Sequence, residues 1–405
     1  MQISFVRLVD YWIGIPSCFI LTIFYKIKKL FIKVPKSDYQ PKKILFIEFS
    51  EMGSAILAYS AMQKAKELYP NTELYFWIFH KNRESVYVLD IIPRENVITV
   101  KDGSLSAFLV DIIKSLIYIR KEKIDAAIDM ELFSRSSSIL SFLTGAKMRV
   151  GFNRFCLEGL YRGDLHTHKV NYNPYLHISK NFLSLVYSLK KDPKYIPLLK
   201  ESLMDYDTSM PEVKSKEEEK IRIITKLRDI NPQVSLRSRI VILNPGINEI
   251  LPLRKWPIGN YIELAKKLLE DKEVFLVLIG TELQSKYGEM MFDQVSSPRM
   301  LNLIGKTDIG ELLCLYNISR LLIGHDSGAT NLASLTGIHI IVLFGPETPL
   351  LYAPLTRNKT VFYANFACSP CLSAYNHRRS MCKDNKCMQA IAVEEIYSAA
   401  KNVII

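Results

Sequence analysis

Residues 324–331 read GHDSGATN and join two apolar runs, RLLIG (320–324) and IHIIVLFG (338–345). Asp326 or Ser327 is placed to cap a helix beginning near Ala329, and Gly328 lets another group approach the backbone. The free N–H groups and the positive end of that helix offer a site for phosphate. Plain helix capping would use the same residues, so both readings stand on this fragment. A second polar turn, NPGINEILPLRKWP (244–257), sets Arg254 and Lys255 just ahead of Pro257, where a phosphate chain can be gripped from the side. The third, FGPETP (344–349), carries Glu347, a carboxylate placed to accept ribose or sugar hydroxyls.

Other chemistries lack their residues. No G-x-G-x-x-G occurs, and GKT at 305–307 has Met300 where a P-loop needs glycine. G-x-S-x-G and H-E-x-x-H are also absent from the sequence. Cys368, Cys371, Cys382 and Cys387 follow a C-x2-C, then C-x4-C pattern that can hold zinc through four thiolates. Local thiols or a local disulfide use the same spacing.

All three polar turns follow apolar runs of strand length. RIVILNPG, EVFLVLIG, RLLIG and HIIVLFG alternate with helical stretches such as YIELAKKLLE and IGELLCLYNIS. Strands apolar nearly throughout belong to parallel sheets covered on both faces, whose ligands sit beyond the carboxyl ends. The first half alternates likewise, through KILFIEFS, a helix over 55–70, TELYFWIF, NVITV, FLVDIIKSLIYIRKEK, IDAAIDM and a helical SRSSSILSFLTG. Residues 204–238 are richer in charge and read as a connection holding one helix. With 405 residues, 48% of them hydrophobic, the chain can bury two cores. The expected architecture is α/β, with two doubly wound domains facing a cleft: 36–203 and 239–405, joined by 204–238. In the first, YRGDLHTH (161–168), with Tyr161, Arg162, Asp164, His166 and His168, reads as a solvated loop on the acceptor side.

The net charge of +12 suits nucleic acid, anionic lipid or a phosphorylated ligand. Its placement favours lipid, because lysines crowd residues 25–43 directly after YWIGIPSCFILTIFY (11–25), fifteen uncharged residues. That run is short for a membrane span, which needs about 20 apolar residues. Residues 1–35 are therefore expected to dip into the cytoplasmic leaflet, leaving the protein cytoplasmic and peripheral on the inner membrane. A buried first helix is the alternative.

KILFIEFSEMGSAILAYSAMQKAKELYPNTELYFWI, RKWP, the block LIGKTDIGELLCLYNISRLLIGHDSGATNLASLTGIHIIVLFGPETP and CSPC together resemble glycosyltransferase family 9, the ADP-heptose:lipopolysaccharide heptosyltransferases. The resemblance covers the chain from about Lys42 onward, weakly in the middle. It implies a GT-B architecture of two Rossmann-like domains, with the acceptor on the first and the nucleotide sugar, an ADP-sugar before others, on the second. The implied reaction is an inverting, metal-independent transfer to a lipid-linked or lipopolysaccharide-core acceptor, with no cofactor and no nucleic acid. Carried over by position, Lys255 meets the phosphates, Asp326, Ser327 and Gly328 form the diphosphate turn, and Glu282 lies near the ribose. Two residues depart from the pattern. Ser54 stands where the family carries its proposed base, an Asp, leaving Glu51, or else Glu48, to take the proton. Asn331 replaces the usual His, which loses a donor with switchable charge and points to a different sugar or nucleotide. A catalytically silent protein that binds a nucleotide sugar is the alternative these two residues suggest.

Overall fold

The computed structural model of the chain describes residues 10–31, 38–49, 51–154, 159–246 and 251–404. Contacts divide it into two compact units, Met1–Thr208 with Ala374–His377, and Ser209–Ser373 with Arg378–Ile405. Strands β1 (Lys43–Ile47), β2 (Glu73–Phe79), β3 (Val97–Val100), β4 (Ala126–Asp129), β5 (Met148–Phe152) and β6 (His168–Val170) form the first unit's sheet. Their order is β3-β2-β1-β4-β5-β6, every pairing parallel. In the second unit, β7 (Arg239–Asn244), β8 (Val274–Leu278), β9 (Met300–Asn302), β10 (Leu321–His325), β11 (His339–Phe344) and β12 (Lys359–Tyr363) pair in parallel as β12-β11-β10-β7-β8-β9. Both sheets run outward from one central strand and then resume on its other side. The reversal makes a switch point between β1 and β4 and another between β7 and β10, where doubly wound sheets bind ligands.

Residues Ile44–Ile47, Ile240–Leu243 and Ile340–Phe344 are all buried, as strands covered on both faces must be. Four strands have no such signal: β6 and β9 are three residues long, β5 contains Arg149 and Gly151, and β12 is an edge strand only half-buried along its length. The expected helix over 55–70 starts earlier and kinks, as Met52–Leu57 and Tyr59–Leu68. Ala58, with ψ −4, is the kink, and its N–H still reaches Ser54 O at 3.0 Å. The charged stretch holds one helix, Glu217–Arg228, which packs on Ile309–Ile318 through Lys226 and Glu311. In the second core, Trp256 is fully buried, stacks edge-on against Tyr261 at 4.8 Å and donates from Nε1 to Ile391 O at 3.0 Å.

The described part of the N-terminal apolar segment contains a helix, Gly14–Lys29, with Pro16 in the first turn, where proline costs no internal hydrogen bond. None of the described helices is long and apolar enough to cross a membrane. The helix lies on the first unit, against helix Arg135–Leu143, with Gly14, Cys18 and Thr22 buried. Asp10 pairs with Arg135 at 2.8 Å, Asp164 N–H donates to Thr22 Oγ1 at 2.8 Å, and the Arg149 guanidinium lies 4.8 Å over the Tyr25 ring.

The 161–168 stretch corrects the expectation of a solvated loop. Arg162, His166 and His168 are all buried. Asp129, fully buried at the end of β4, is the reason: it pairs with Arg162 Nη2, meets His166 Nε2 at 3.1 Å and accepts from Ser137 Oγ at 3.1 Å. The loop folds inward to neutralise that carboxylate. Gly163, with φ +72, makes this possible, since a Cβ there would stand 2.9 Å from Thr22 Oγ1 and 3.0 Å from Cys18 O.

Asp129→Ala leaves the Arg162 charge buried without its partner and is expected to cost about 3–5 kcal/mol of stability. Lys64→Ala, which breaks an exposed pair with Glu67, should cost below about 0.5 kcal/mol. Urea unfolding of the two variants beside the parent measures the contrast; equal midpoints for both would remove Asp129 from its structural role.

Candidate functional site

At the second switch point, the ends of β7 and β10 and the turns that follow β7, β10 and β11 assemble a polar network. Arg254 is buried there, in a short turn just before helix Ile258–Leu268. Its Nη1 donates to Asp326 O at 3.2 Å and stands 3.3 Å from Asp326 Oδ2, while Nη2 pairs with Glu347. Arg378 approaches the other oxygen of Glu347, with Nε 3.2 Å from Oε1, and lies 5.1 Å over the Tyr352 ring. Arg378 holds this position with φ 52, a left-handed backbone that costs a non-glycine residue about 1–2 kcal/mol. Two arginines thus face two carboxylates with their charges balanced. Glu347, read from the sequence as an acceptor of hydroxyls, is nearly fully buried and committed to these cations, because arginines this deeply buried need a carboxylate partner.

Of the two candidate caps, the structure selects Ser327. Its side chain accepts from Thr330 N–H at 3.4 Å, and its own N–H donates to Thr330 Oγ1 at 3.1 Å, closing the start of helix Gly328–Ala333. Asn244 Nδ2 donates to Ser327 Oγ at 3.4 Å, joining the ends of β7 and β10 across the switch point. Gly324 allows β10 this approach, for a Cβ there would lie 3.2 Å from Asn244 Cβ. Asn331 is buried and turns its amide back to Ser327 O at 3.3 Å. Lys255 is half-buried, with Nζ 4.7 Å over the Tyr287 ring. Glu282 is exposed in the turn after β8, against Gly305. His325, ending β10, is fully buried, and burial together with the nearby Arg254 charge pushes its pKa down to about 4. Residues 247–250 of the 244–257 turn lie outside the described residues.

Acidic groups converge at the first switch point. Phe49 N–H, just past β1, donates to Glu131 Oε1 at 2.8 Å, and Glu131 N–H donates to Asp129 Oδ1 at 3.2 Å. Arg162 Nη1 donates to Glu131 O at 3.0 Å, binding this edge to the buried ion pair. Glu48 is buried at the same strand end, and Glu51 is half-buried at the N-cap, directly before helix Met52–Leu57. Ser54 lies three residues on, so the structure brings the predicted Glu51 and Ser54 to the start of one helix. Sequence reading missed Asp129 and Glu131. The rule that drew attention to the second half, polar residues directly after a buried strand, would have found both in IDAAIDMEL.

The four clustered cysteines line one cavity of about 160 Å³, together with Pro346, Asp384 and Asn385. Cys387 is buried, and desolvation followed by the Cys371 sulfur holds its thiol pKa above the usual value. All four are free thiols. Among the described residues no group of three or more His, Cys, Asp or Glu is arranged to hold a metal ion.

Fold and sites together define an α/β protein of two doubly wound sheets, each with its charged residues gathered at the switch point. The chain belongs to glycosyltransferase family 9 (heptosyltransferase), whose profile matches residues 112–381, more than half of its length. Lipooligosaccharide heptosyltransferase 2 of Haemophilus ducreyi is 24% identical over 332 residues, which are 79% of this chain and 88% of that protein. Among solved structures, a family 9 glycosyl transferase from Veillonella parvula superposes with a TM-score of 0.71 at 16% identity, covering 91% of this chain and 99% of that one. E. coli ADP-heptose lps heptosyltransferase II gives 0.67 at 18% identity, with 89% and 98% covered. These likenesses establish a GT-B-like fold, and membership of the family makes the chain a heptosyltransferase-like glycosyltransferase.

His325 makes the second unit sensitive to acid. Its pKa is near 4 folded and about 6.5 unfolded, so the unfolded chain takes up the proton first. The stability it supports is complete above about pH 6.5 and falls as pH drops toward about 4, by about 2 kcal/mol between pH 7 and pH 5. Unfolding of parent and His325→Gln at those two pH values isolates this share: the parent should lose more, by about that amount, and parallel losses would count against it.

Proposed function

We propose that the protein transfers a sugar, heptose or a hexose, from a nucleotide sugar, with ADP the first nucleotide to test, to a lipopolysaccharide-type or other lipid-linked envelope acceptor. The observation that carries the reading is the charge-balanced network at the second switch point, standing beside Lys255 in a chain of family 9. The named relatives support the donor and acceptor classes, since their descriptions speak of ADP-heptose and of lipooligosaccharide or lipopolysaccharide. Such an acceptor places the work at the cytoplasmic face of the inner membrane, with the protein peripheral to it.

In this reading residues 36–203 take the acceptor, residues 239–405 take the donor, and 204–238 connect them. Arg254 is already neutralised by Asp326 and Glu347, so Lys255 supplies the added positive charge for the diphosphate. Asp326, Ser327 and Gly328 form the turn beside it, Asn331 holds that turn through the Ser327 carbonyl, and Glu282 meets the ribose. The acceptor hydroxyl attacks the anomeric carbon, the bond to the diphosphate oxygen breaks, and the configuration inverts. Glu51 takes the hydroxyl proton, because the Ser54 hydroxyl is no base at neutral pH and Glu51 stands at the N-cap of the same helix. The leaving diphosphate is stabilised by side-chain cations and the helix start, without a metal. The cysteine loop has no part in the chemistry; zinc, were it bound there by Cys368, Cys371, Cys382 and Cys387, would be structural.

Purified protein incubated with ADP-, UDP-, GDP- and dTDP-sugars, with and without a lipid-saccharide extract, is expected to release nucleoside diphosphate from one donor only when the extract is present. Release should persist in chelator and fall about 10²–10⁴-fold in Glu51→Gln, with donor affinity unchanged. Donor binding without release under every condition would instead support the silent reading that Ser54 and Asn331 suggest.

A further inference from the structure

Helix Gly14–Lys29 is packed the opposite way from a helix on a water-soluble surface. Its small residues Gly14, Cys18 and Thr22 face the protein, and its large apolar residues Phe19, Ile20, Ile23, Phe24 and Ile27 are exposed, Ile20 by 64%. A second helix of the same unit, Leu105–Lys121, repeats the pattern on its outer side, with Leu105, Leu109, Ile113 and Ile117 exposed at four-residue intervals, Ile117 by 64%. Four such residues in line are an apolar stripe, and stripes of this kind mark an interaction surface.

The two helices both reach the end of helix Arg135–Leu143. Phe24 and Tyr25 lie edge-on to Phe142, with ring centres 6.5 and 5.7 Å away, while Arg120 Nε donates to the carbonyl of the next residue, Leu143, at 2.8 Å. Both therefore bring their C-terminal turns to the end of helix Arg135–Leu143. Those turns carry Lys26, Lys28 and Lys29 on one helix and Arg120 and Lys121 on the other. No acidic residue occurs from Tyr11 to Lys36, and Asp10 is paired with Arg135. Apolar faces that each end in a turn of cations, with no carboxylate on the N-terminal one, match an anionic lipid surface, whose acyl region takes the side chains and whose headgroups meet the lysines.

We propose that helices Gly14–Lys29 and Leu105–Lys121 together form a two-helix platform that seats the first unit on an anionic bilayer. It deepens, and in that sense rests on, the reading that the acceptor is lipid-linked. A single helix lying on the lipid would leave the unit free to roll about that helix's axis. The platform includes a helix from within the sheet's own crossover, between β3 and β4, and so fixes the unit's orientation to the lipid.

Vesicle binding tests this with neither donor nor acceptor, so its outcome is separate from that of the transfer assay. The three tryptophans are Trp12, Trp77 and Trp256; the last two are fully buried and Trp12 is 68% exposed, so a lipid-induced change in fluorescence reports Trp12. The full chain, titrated with vesicles of phosphatidylethanolamine and phosphatidylglycerol, is expected to bind with a blue shift quenched by brominated lipid. Binding to phosphatidylcholine should be weaker, and each of Lys26→Gln, Lys28→Gln and Lys29→Gln should weaken anionic binding roughly fivefold. The decisive variant is L109S/I113S/I117S, which touches only outward residues and should keep the parent's thermal midpoint. It is expected to lower vesicle affinity about tenfold or more. Unchanged affinity in that variant would reduce the platform to one anchor, and absence of binding would overturn it. A concentration-dependent dimer abolished by the same substitutions would assign the surface to a second copy of the chain.

Discussion

A buried arginine needs its charge answered, and each unit of this molecule answers one with carboxylates at the point where its strand order reverses. In the first unit Arg162 pairs with Asp129 at the end of β4; in the second Arg254 pairs with Asp326 and Glu347 after β10 and β11. Both pairs draw in a loop that would otherwise lie on the surface. The 161–168 segment folds inward to Asp129, and the cysteine-containing loop reaches back through Arg378 to Glu347. The polar edges of the two sheets are therefore braced from within. Side chains fixed in this way can present charge to a ligand without first being ordered.

The bracing also sorts which charges remain for a substrate. Arg254, Arg378, Asp326 and Glu347 largely satisfy one another, so this network carries little net charge of its own. In the first unit Glu131 is held by a backbone N–H and Asp129 by three side chains, so both carboxylates are fixed at the sheet edge. Burial likewise decides the state of the histidines. His325 and His168 both have pKa values pushed down to about 4 and are neutral at pH 7, so neither adds to the positive charge.

Strands covered on both faces, such as β1, β7 and β11, are legible in sequence because burial on two sides leaves an unbroken apolar run. The turns that follow them are legible for the same reason, which is how Lys255, Asp326 and Ser327 stand out. Partnership between charges is not. Arg162 and Asp129 are 33 residues apart, Arg254 and Glu347 are 93 apart, and nothing local distinguishes a buried arginine from a solvated one. That is why the 161–168 loop reads as solvated and Glu347 as a hydroxyl acceptor. Short strands fail for lack of length, and the outward stripe of helix Leu105–Lys121 reads as ordinary core because a sequence does not say which apolar face the sheet covers.

Thr22 accepts the Asp164 N–H, next to the glycine whose bare backbone touches Cys18 and Thr22, which itself follows Arg162. The apolar N-terminal helix is therefore a wall of the first unit, continuous through two residues with the ion pair at its sheet edge. Trimming the chain back to Lys42 would not simply remove an apolar face. It would open a slot over Gly163 to solvent, take away the acceptor that orders Asp164, and loosen the loop on which Asp129 depends, so any comparison of trimmed and untrimmed protein would confound the loss of that apolar face with the integrity of the sheet edge.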